Sequence, residues 1–500
     1  MNLIQSVDWV TIAPPTLVAV TAVAVLVADL FLPAARKGWL GAMTVGGLLL
    51  AGLALLPLRA GDRTSFCLPG DGGDAVCGYA ADTFALVVQL LVLAGALLTA
   101  LFSQPLDREL PRGEFWFLLL ASAAGATLLP ASRDLATLII ALEVTTLPAY
   151  ALVALRRGDG RGPQSALTFF LTSVTATAIA LLGVSFVYAA AGSLHFTEIG
   201  TALPAADDRL ATLARAGVAL TLVGFAFKTA AVPFHFWVPD TYPGAPLPVA
   251  GYLSVVSKTA GLAGLILVTT LAFPGFGGLW GPVLAVLAAL TMTAGNVAAL
   301  RTDPAAPDSA IRLLAWSSVG QAGYLLVPLA AAAYGVEGAV GAALAYALMY
   351  AAVNLGAFAV ASHIARRHPG HRLTDYRGLY RRHPGTALAL GFFLLCLAGL
   401  PPGVIGLFAK VAVFSAAVEA GLGVLAVVMA LNVAIALFYY LRWTALLFER
   451  PGQDAPSDPA PDDPAPAPTV RLAIGLAALA ALVLSVLPQL VLTLTSGTLL

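Results

Sequence analysis

Residues 228–258 read KTAAVPFHFWVPDTYPGAPLPVAGYLSVVSK, a stretch that begins and ends on lysine and is embedded between long apolar runs. A lysine near the centre of a membrane helix costs roughly 2.5–3.5 kcal/mol on the insertion scale, so two bracketing one corner are not incidental. Pro233, five residues after Lys228, removes a helix hydrogen bond and frees backbone polar groups beside the charge. The same usage extends over the chain. Of 26 basic side chains only four are lysines, and three of them, Lys228, Lys258 and Lys410, lie in apolar runs, while arginine occupies the wet positions. Lysine, unlike arginine, readily gives up its proton when buried, so these positions point to charge handling inside a membrane.

Composition fits that setting. The 500 residues are 59% hydrophobic and 10% charged, with mean hydropathy +0.90, against roughly 25% charged in a soluble domain. The fold class expected is an all-α polytopic membrane protein of one membrane domain, residues 1–500. Apolar runs between polar or Gly/Pro breaks give about fourteen helices, at 9–32, 39–58, 83–104, 114–131, 134–155, 163–191, 210–233, 247–272, 279–300, 310–332, 335–363, 385–415, 421–447 and 470–494. The first is too long for a signal-peptide core and lacks a small-residue cleavage pattern, so it reads as a retained helix. The twelfth must be broken by Pro401-Pro402-Gly403, just as the seventh is broken near Pro233.

Charge sets the expected orientation. With the N-terminus outside, the odd-numbered connections and their borders hold eighteen basic residues, from Arg36 and Lys37 through the cluster at 366–382 to Arg471. The even ones hold five: Arg59, Arg63, Arg133, Arg209 and Arg215. That is the positive-inside bias, and it places both termini on the outer side. Cys67 and Cys77 then share an outer loop where a disulfide is chemically permitted, while Cys396 sits in an apolar run as packing. Residues 451–469, rich in Pro, Asp and Ala, read as a disordered cytoplasmic linker before the last helix at 470–494. Net charge is zero, and no CxxC, histidine cluster or glycine-rich phosphate loop is present, so nucleic acid, metal, haem and nucleotide sites have no sequence support.

Glu143 lies about nine residues into an apolar run with no basic residue within a helical turn, so its partner must come from another helix. Lys258 lies about ten residues into the eighth run, and Lys410 follows the Pro-Pro-Gly break. Broken helices at membrane depth are tolerated where they face protein or a wet cavity, and ion pathways use them. The competing reading is that these charges glue helices or snorkel to an interface. Gly-Phe-Ala-Phe-Lys at 224–228 and Gly-Leu-Phe-Ala-Lys at 406–410 read as related motifs beside breaks five spans apart. An odd number of spans per unit inverts the second copy, which gives inverted repeats at 114–272 and 279–447.

At these residues the chain resembles the proton-translocating, antiporter-like subunits of respiratory complex I and of multisubunit cation/proton antiporters. The resemblance covers most of the chain. LAGLPPGVIGLFAKVAVFSAAVEAG at 397–421 and AWSSVGQAGYLL at 315–326 are most similar to the N-type subunit of bacterial NADH-quinone oxidoreductase. Lysine at 410 is similar to the N and L types, whereas the M type has glutamate there, and fourteen spans leave no room for the lateral helix of L. The resemblance implies that Glu143 and Lys228 form the input pair, Lys258 the central relay and Lys410 the terminal group. It also implies a bacterial cell (inner) membrane, partner membrane subunits that include other antiporter-like ones, and no cofactor in this chain. NADH, FMN, iron-sulfur clusters and quinone would belong to the partner complex, whose quinone reduction would drive the protons. Two positions depart from the pattern. Thr168 stands near the place of a further lysine in span 6, and Gln321 where many relatives have histidine in span 10.

His235 and Trp237 read as a structural corner, with Asp240 capping or pairing locally, and Ser257, Tyr324, Tyr350 and Asn354 are candidates to hold water along the path. The cluster from Arg366 to His383 reads as a solvated inner loop. Three alternatives stand beside the complex I reading: a Na+/H+ antiporter subunit, a membrane-bound hydrogenase subunit, or a passive structural subunit whose charges serve assembly.

Overall fold

The computed structural model describes residues 7–69, 75–105, 110–156, 160–450, 466–495 and 499. Among the described residues thirteen helices are long and apolar enough to cross a membrane: Ala13–Phe31, Ala34–Ala60, Thr83–Ser103, Arg112–Ala131, Leu135–Ala154, Arg161–Ala191, Ala211–Lys228, Leu247–Ala272, Pro274–Leu300, Ser309–Ala332, Ala339–Ala365, Gly423–Phe448 and Pro468–Val486. Between the last two of those before the linker and after Ala365 lies the broken crossing, Pro384–Ala398 followed by Ile405–Glu419, which brings the spans to fourteen and makes this one the twelfth. The proposed linker falls almost wholly outside the described residues.

Both breaks occur where the sequence places them. The main helix of span 7 ends at Lys228, left-handed Ala230 and Pro233 interrupt the chain, and a short helix Val238–Gly244 completes the crossing. In span 12 the first half ends at Gly399, whose positive φ of 87° suits glycine. The two Lys motifs differ in placement: 224–228 closes the first half of span 7, whereas 406–410 opens the second half of span 12.

Spans 8, 10 and 11 are buried along nearly their whole length, while spans 1, 6, 9, 13 and 14 keep an apolar side outward. Without a water-driven hydrophobic effect between helices, close approach depends on small residues. A Cβ on Gly125 of span 4 would fall 2.6 Å from the Thr145 nitrogen of span 5, and one on Gly295 of span 9 would fall 2.3 Å from the Gly320 nitrogen of span 10. The same tight pairing therefore recurs five spans on.

The connections sort onto two faces by parity. On one, the second connection folds into a hairpin, β1 (Arg63–Pro69) and β2 (Ala75–Ala81), closed by a Cys67–Cys77 disulfide. The Arg133 nitrogen of the fourth connection donates to the Gly78 carbonyl at 3.0 Å, and the Leu135 nitrogen to Leu194 of the sixth at 2.9 Å. The chain ends join the same face through Asp8 to Ser65 at 3.0 Å and Phe84 to Leu499 at 3.3 Å. On the opposite face Arg161 pairs with Asp308 at 2.8 Å, Arg377 with Glu449 at 3.3 Å, and Asp308 donates its nitrogen to Gly370 at 2.8 Å. These contacts join connections 5, 9, 11 and 13. A miscount by one span would have mixed the two sets.

The hairpin is the element that the helix-by-helix reading of the chain leaves out. Its signal is two short runs flanking a Gly/Asp-rich turn sequence, LPGDGGDA at 68–75. It is anchored through Asp82, which caps span 3 by accepting from the Ala85 nitrogen at 2.9 Å and forms an ion pair with Arg133. Asp82→Ala removes the cap and the counter-charge of the mostly buried Arg133 guanidinium, leaving it the carbonyls of Pro130 and Ser132. It is expected to cost about 2–4 kcal/mol locally, read as a lowered thermal midpoint of the detergent-solubilised protein; an unchanged midpoint contradicts the anchoring role.

Candidate functional site

Lys228, with its side chain 2% exposed, reaches from the end of its helix toward spans 5 and 6. Its Nζ donates to Ser173 Oγ at 2.6 Å and to Thr146 Oγ1 at 3.3 Å, and lies 3.6 Å from Glu143 Oε1. Three acceptors match the three protons of an ammonium. Glu143, 22% exposed, accepts from Thr177 Oγ1 at 2.7 Å and from Thr146 Oγ1 at 3.4 Å. The pair is therefore loose in its direct contact and bridged by hydroxyls. Tyr150 donates to Ser173 at 2.5 Å and fixes that hydroxyl from behind.

Lys258 follows a π-helical turn, Leu253–Ser257, in span 8. Its Nζ donates at 2.7 Å to both the carbonyl and the hydroxyl oxygen of Ser318 in span 10. Tyr350 of span 11 donates to the same hydroxyl at 3.0 Å. Lys410 donates to the carbonyls of Leu397 and Ala398 at 2.9 and 2.8 Å. Those oxygens end the first half of span 12, where the helix leaves carbonyls unpaired and carries its partial negative charge. The Tyr324 ring adds a face 5.9 Å from the ammonium. Among the described residues no acidic side chain forms an ion pair with Lys258 or Lys410.

Neutral oxygens lie between the second and third lysines. Ser318, which accepts from Lys258, also accepts from Tyr350, and Tyr350 lines with Gln321, Tyr346, Cys396 and Lys410 a small cavity with room for about one water. Between Lys228 and Lys258 the connection is packing: a Cβ on Gly261 would fall 2.8 Å from the Lys228 Cβ, so span 8 lies directly against Lys228 three residues past Lys258.

The remaining expected residues divide. Gln321 lines that cavity, accepting from Tyr346 and donating to Tyr440 at 3.3 Å. Thr168 does not; its hydroxyl returns to the Gln164 carbonyl of its own helix, and Ser173 and Thr177 carry the polar face of span 6 instead. Tyr324 turns its ring to Lys410. Asn354 donates to Ser254 at 2.7 Å, and Ser257 is buried in the π-helical turn. Trp237 donates to the Phe227 carbonyl at 3.3 Å and stacks on Phe169 at 4.4 Å, which makes the 233–240 segment a packed corner. His235 sits in that corner against Trp316, and Asp240 meets Arg312 of span 10 at 3.9 Å rather than a neighbour in sequence. Thr146, Ser173, Thr177 and Ser318 escape a search for charges. The available signal is the four-residue spacing of Ser173 and Thr177, which puts two hydroxyls on one helix face.

Comparisons with known proteins identify the family and the fold. A family model described as NADH:quinone oxidoreductase/Mrp antiporter, TM, matches residues 132–436. The chain is 65% identical to NADH-quinone oxidoreductase subunit N 2 of Streptomyces griseus over 99% of its own length and 94% of that protein, and 44% identical to subunit N of Salinispora tropica over 90% and 87%. Among solved structures it superposes on a chain of respiratory complex I from Thermus thermophilus with TM-score 0.78 and 33% identity, covering 97% of this chain and 100% of that one. A chain of the Mrp complex from Dietzia, at 22% identity, TM-score 0.80 and coverage of 97% and 96%, shares the fold. The chain is an integral membrane protein that belongs to the family of antiporter-like N subunits of NADH-quinone oxidoreductase.

Proposed function

We propose that the chain translocates protons along Glu143, Lys228, Lys258 and Lys410, driven by quinone reduction in partner subunits that carry NADH, FMN, iron-sulfur clusters and quinone. The observation that supports this most is the set of three lysines buried at membrane depth and held by oxygen acceptors, which at Lys228 and Lys258 are serine hydroxyls that also accept from a tyrosine and at Lys410 are two backbone carbonyls. A neutral lysine accepts a proton and an ammonium donates one, so a file of them joined by hydroxyls and water can pass protons. A carboxylate beside an ammonium favours its charged form. Glu143 close to Lys228 would hold the proton there, and its withdrawal would release the proton to Lys258 and then Lys410. Moving one charge against the membrane potential requires about 2.3 kcal/mol per 100 mV, within reach of a change of about two pKa units at about 1.36 kcal/mol each.

The two broken spans and the recurring tight helix pair, each five spans apart, support inverted repeats at 114–272 and 279–447 within one membrane domain. The arginine-rich face would be cytoplasmic and the hairpin face external, with both termini on the outer side and other antiporter-like membrane subunits alongside.

Two experiments test these readings. In the assembled complex, Lys228→Met or Lys410→Met is expected to lower proton pumping by at least about tenfold while native electrophoresis still shows full assembly; normal pumping sinks the relay and leaves the passive structural reading. In right-side-out vesicles a membrane-impermeant reductant is expected to open the Cys67–Cys77 bridge, read by mass after alkylation. Protection of the bridge in intact vesicles and its opening only in inverted ones reverses the orientation.

A further inference from the structure

An apolar cleft of about 620 Å³ enters the side of the protein between spans 2, 3, 11 and 14. This is within the range of about 300–1,000 Å³ of cavities that hold small ligands. Leu90, Leu98, Leu348 and Leu355 line its walls with Ala480 and Leu484 of span 14. None of the four residues of the proposed proton path lines the cleft.

Two features give it an occupant. At the end nearest the hairpin face its rim carries Arg59 and Asp62, both exposed. Among the described residues neither forms an ion pair or a side-chain hydrogen bond. One cation and one anion at headgroup level above an acyl-sized slot complement a phosphate and a primary ammonium carried by one molecule. At its floor lies Gly95, where a Cβ would fall 2.9 Å from Val256 Cγ2. Val256 is in the π-helical turn that leads into Lys258. A chain lying in the cleft is therefore one residue layer from the turn that positions the central lysine.

We propose that this cleft is a binding site for a zwitterionic diacyl phospholipid of the phosphatidylethanolamine class, its phosphate on Arg59, its ammonium on Asp62 and an acyl chain between spans 3 and 11. The balanced rim disfavours a purely anionic headgroup, because Asp62 would face a phosphate with no ammonium to offset it.

The test uses the assembled complex in vesicles containing trace phosphatidylethanolamine with a diazirine in its acyl chain. After illumination, adducts are expected to concentrate in peptides 86–98 and 348–355. Arg59→Gln with Asp62→Asn, both exposed positions, is expected to lower that labelling about tenfold, the factor one charge-assisted contact supplies. A phosphatidylglycerol probe is expected to label these peptides less. Adducts no denser there than on the outward face of span 6 overturn the proposal, as does equal labelling by both probes that the double variant leaves unchanged. So does a photoreactive residue at position 90 that crosslinks to another subunit's helix rather than to lipid.

Discussion

An ammonium group at membrane depth needs oxygen atoms around it, and the regular helices that must fill a bilayer have already used theirs. That constraint shapes the centre of this protein. Hydrocarbon offers no hydrogen bonds, and an unpaired buried charge costs several kcal/mol even after relaxation. The chain supplies the missing oxygens in three ways: side-chain hydroxyls and a carboxylate around Lys228, one serine's carbonyl and hydroxyl for Lys258, and the open carbonyl end of a half-helix for Lys410. The break in span 12 thus serves the charge directly. The break in span 7 instead ends a helix on the charge, so that Lys228 stands at a terminus facing spans 5 and 6.

The three environments differ in what they can exchange. Lys228 has an anionic partner whose approach or withdrawal changes its hold on a proton, whereas among the described residues the hydrogen-bond acceptors of Lys258 and Lys410 are neutral oxygens. In the proposed relay, an input group governed by a neighbouring charge and two followers governed by burial and dipoles would form a directional series. The buried position of spans 8, 10 and 11 suits that use, because it holds Lys258, Ser318 and Tyr350 in a fixed frame.

Much of this was legible in the sequence, for a physical reason. Hydrophobic length, proline breaks and misplaced charge are strong signals in a membrane protein, so the fourteen spans, both breaks and the need of Glu143 for a partner on another helix could be read directly, while the resemblance to a family named that partner as Lys228. The parity of arginines assigned connections to two faces, and the contacts between connections keep that division. Hydroxyls were hidden, because serine and threonine are common in membrane helices and their direction depends on rotation about the helix axis. Thr168 points back to its own helix while Ser173, five residues on, meets Lys228. The hairpin was hidden behind its cysteines: the pair was visible, but strands of seven residues carry little hydropathy signal beside helices of twenty.

Lys258 gives the most direct test of the relay, because among the described residues it has no acidic partner whose charge its removal would strand. The measurement is the number of protons pumped per NADH oxidised by the Lys258→Met complex in sealed vesicles. A relay through this residue predicts a clear fall in that ratio with assembly intact. An unchanged ratio in the assembled complex would contradict the account.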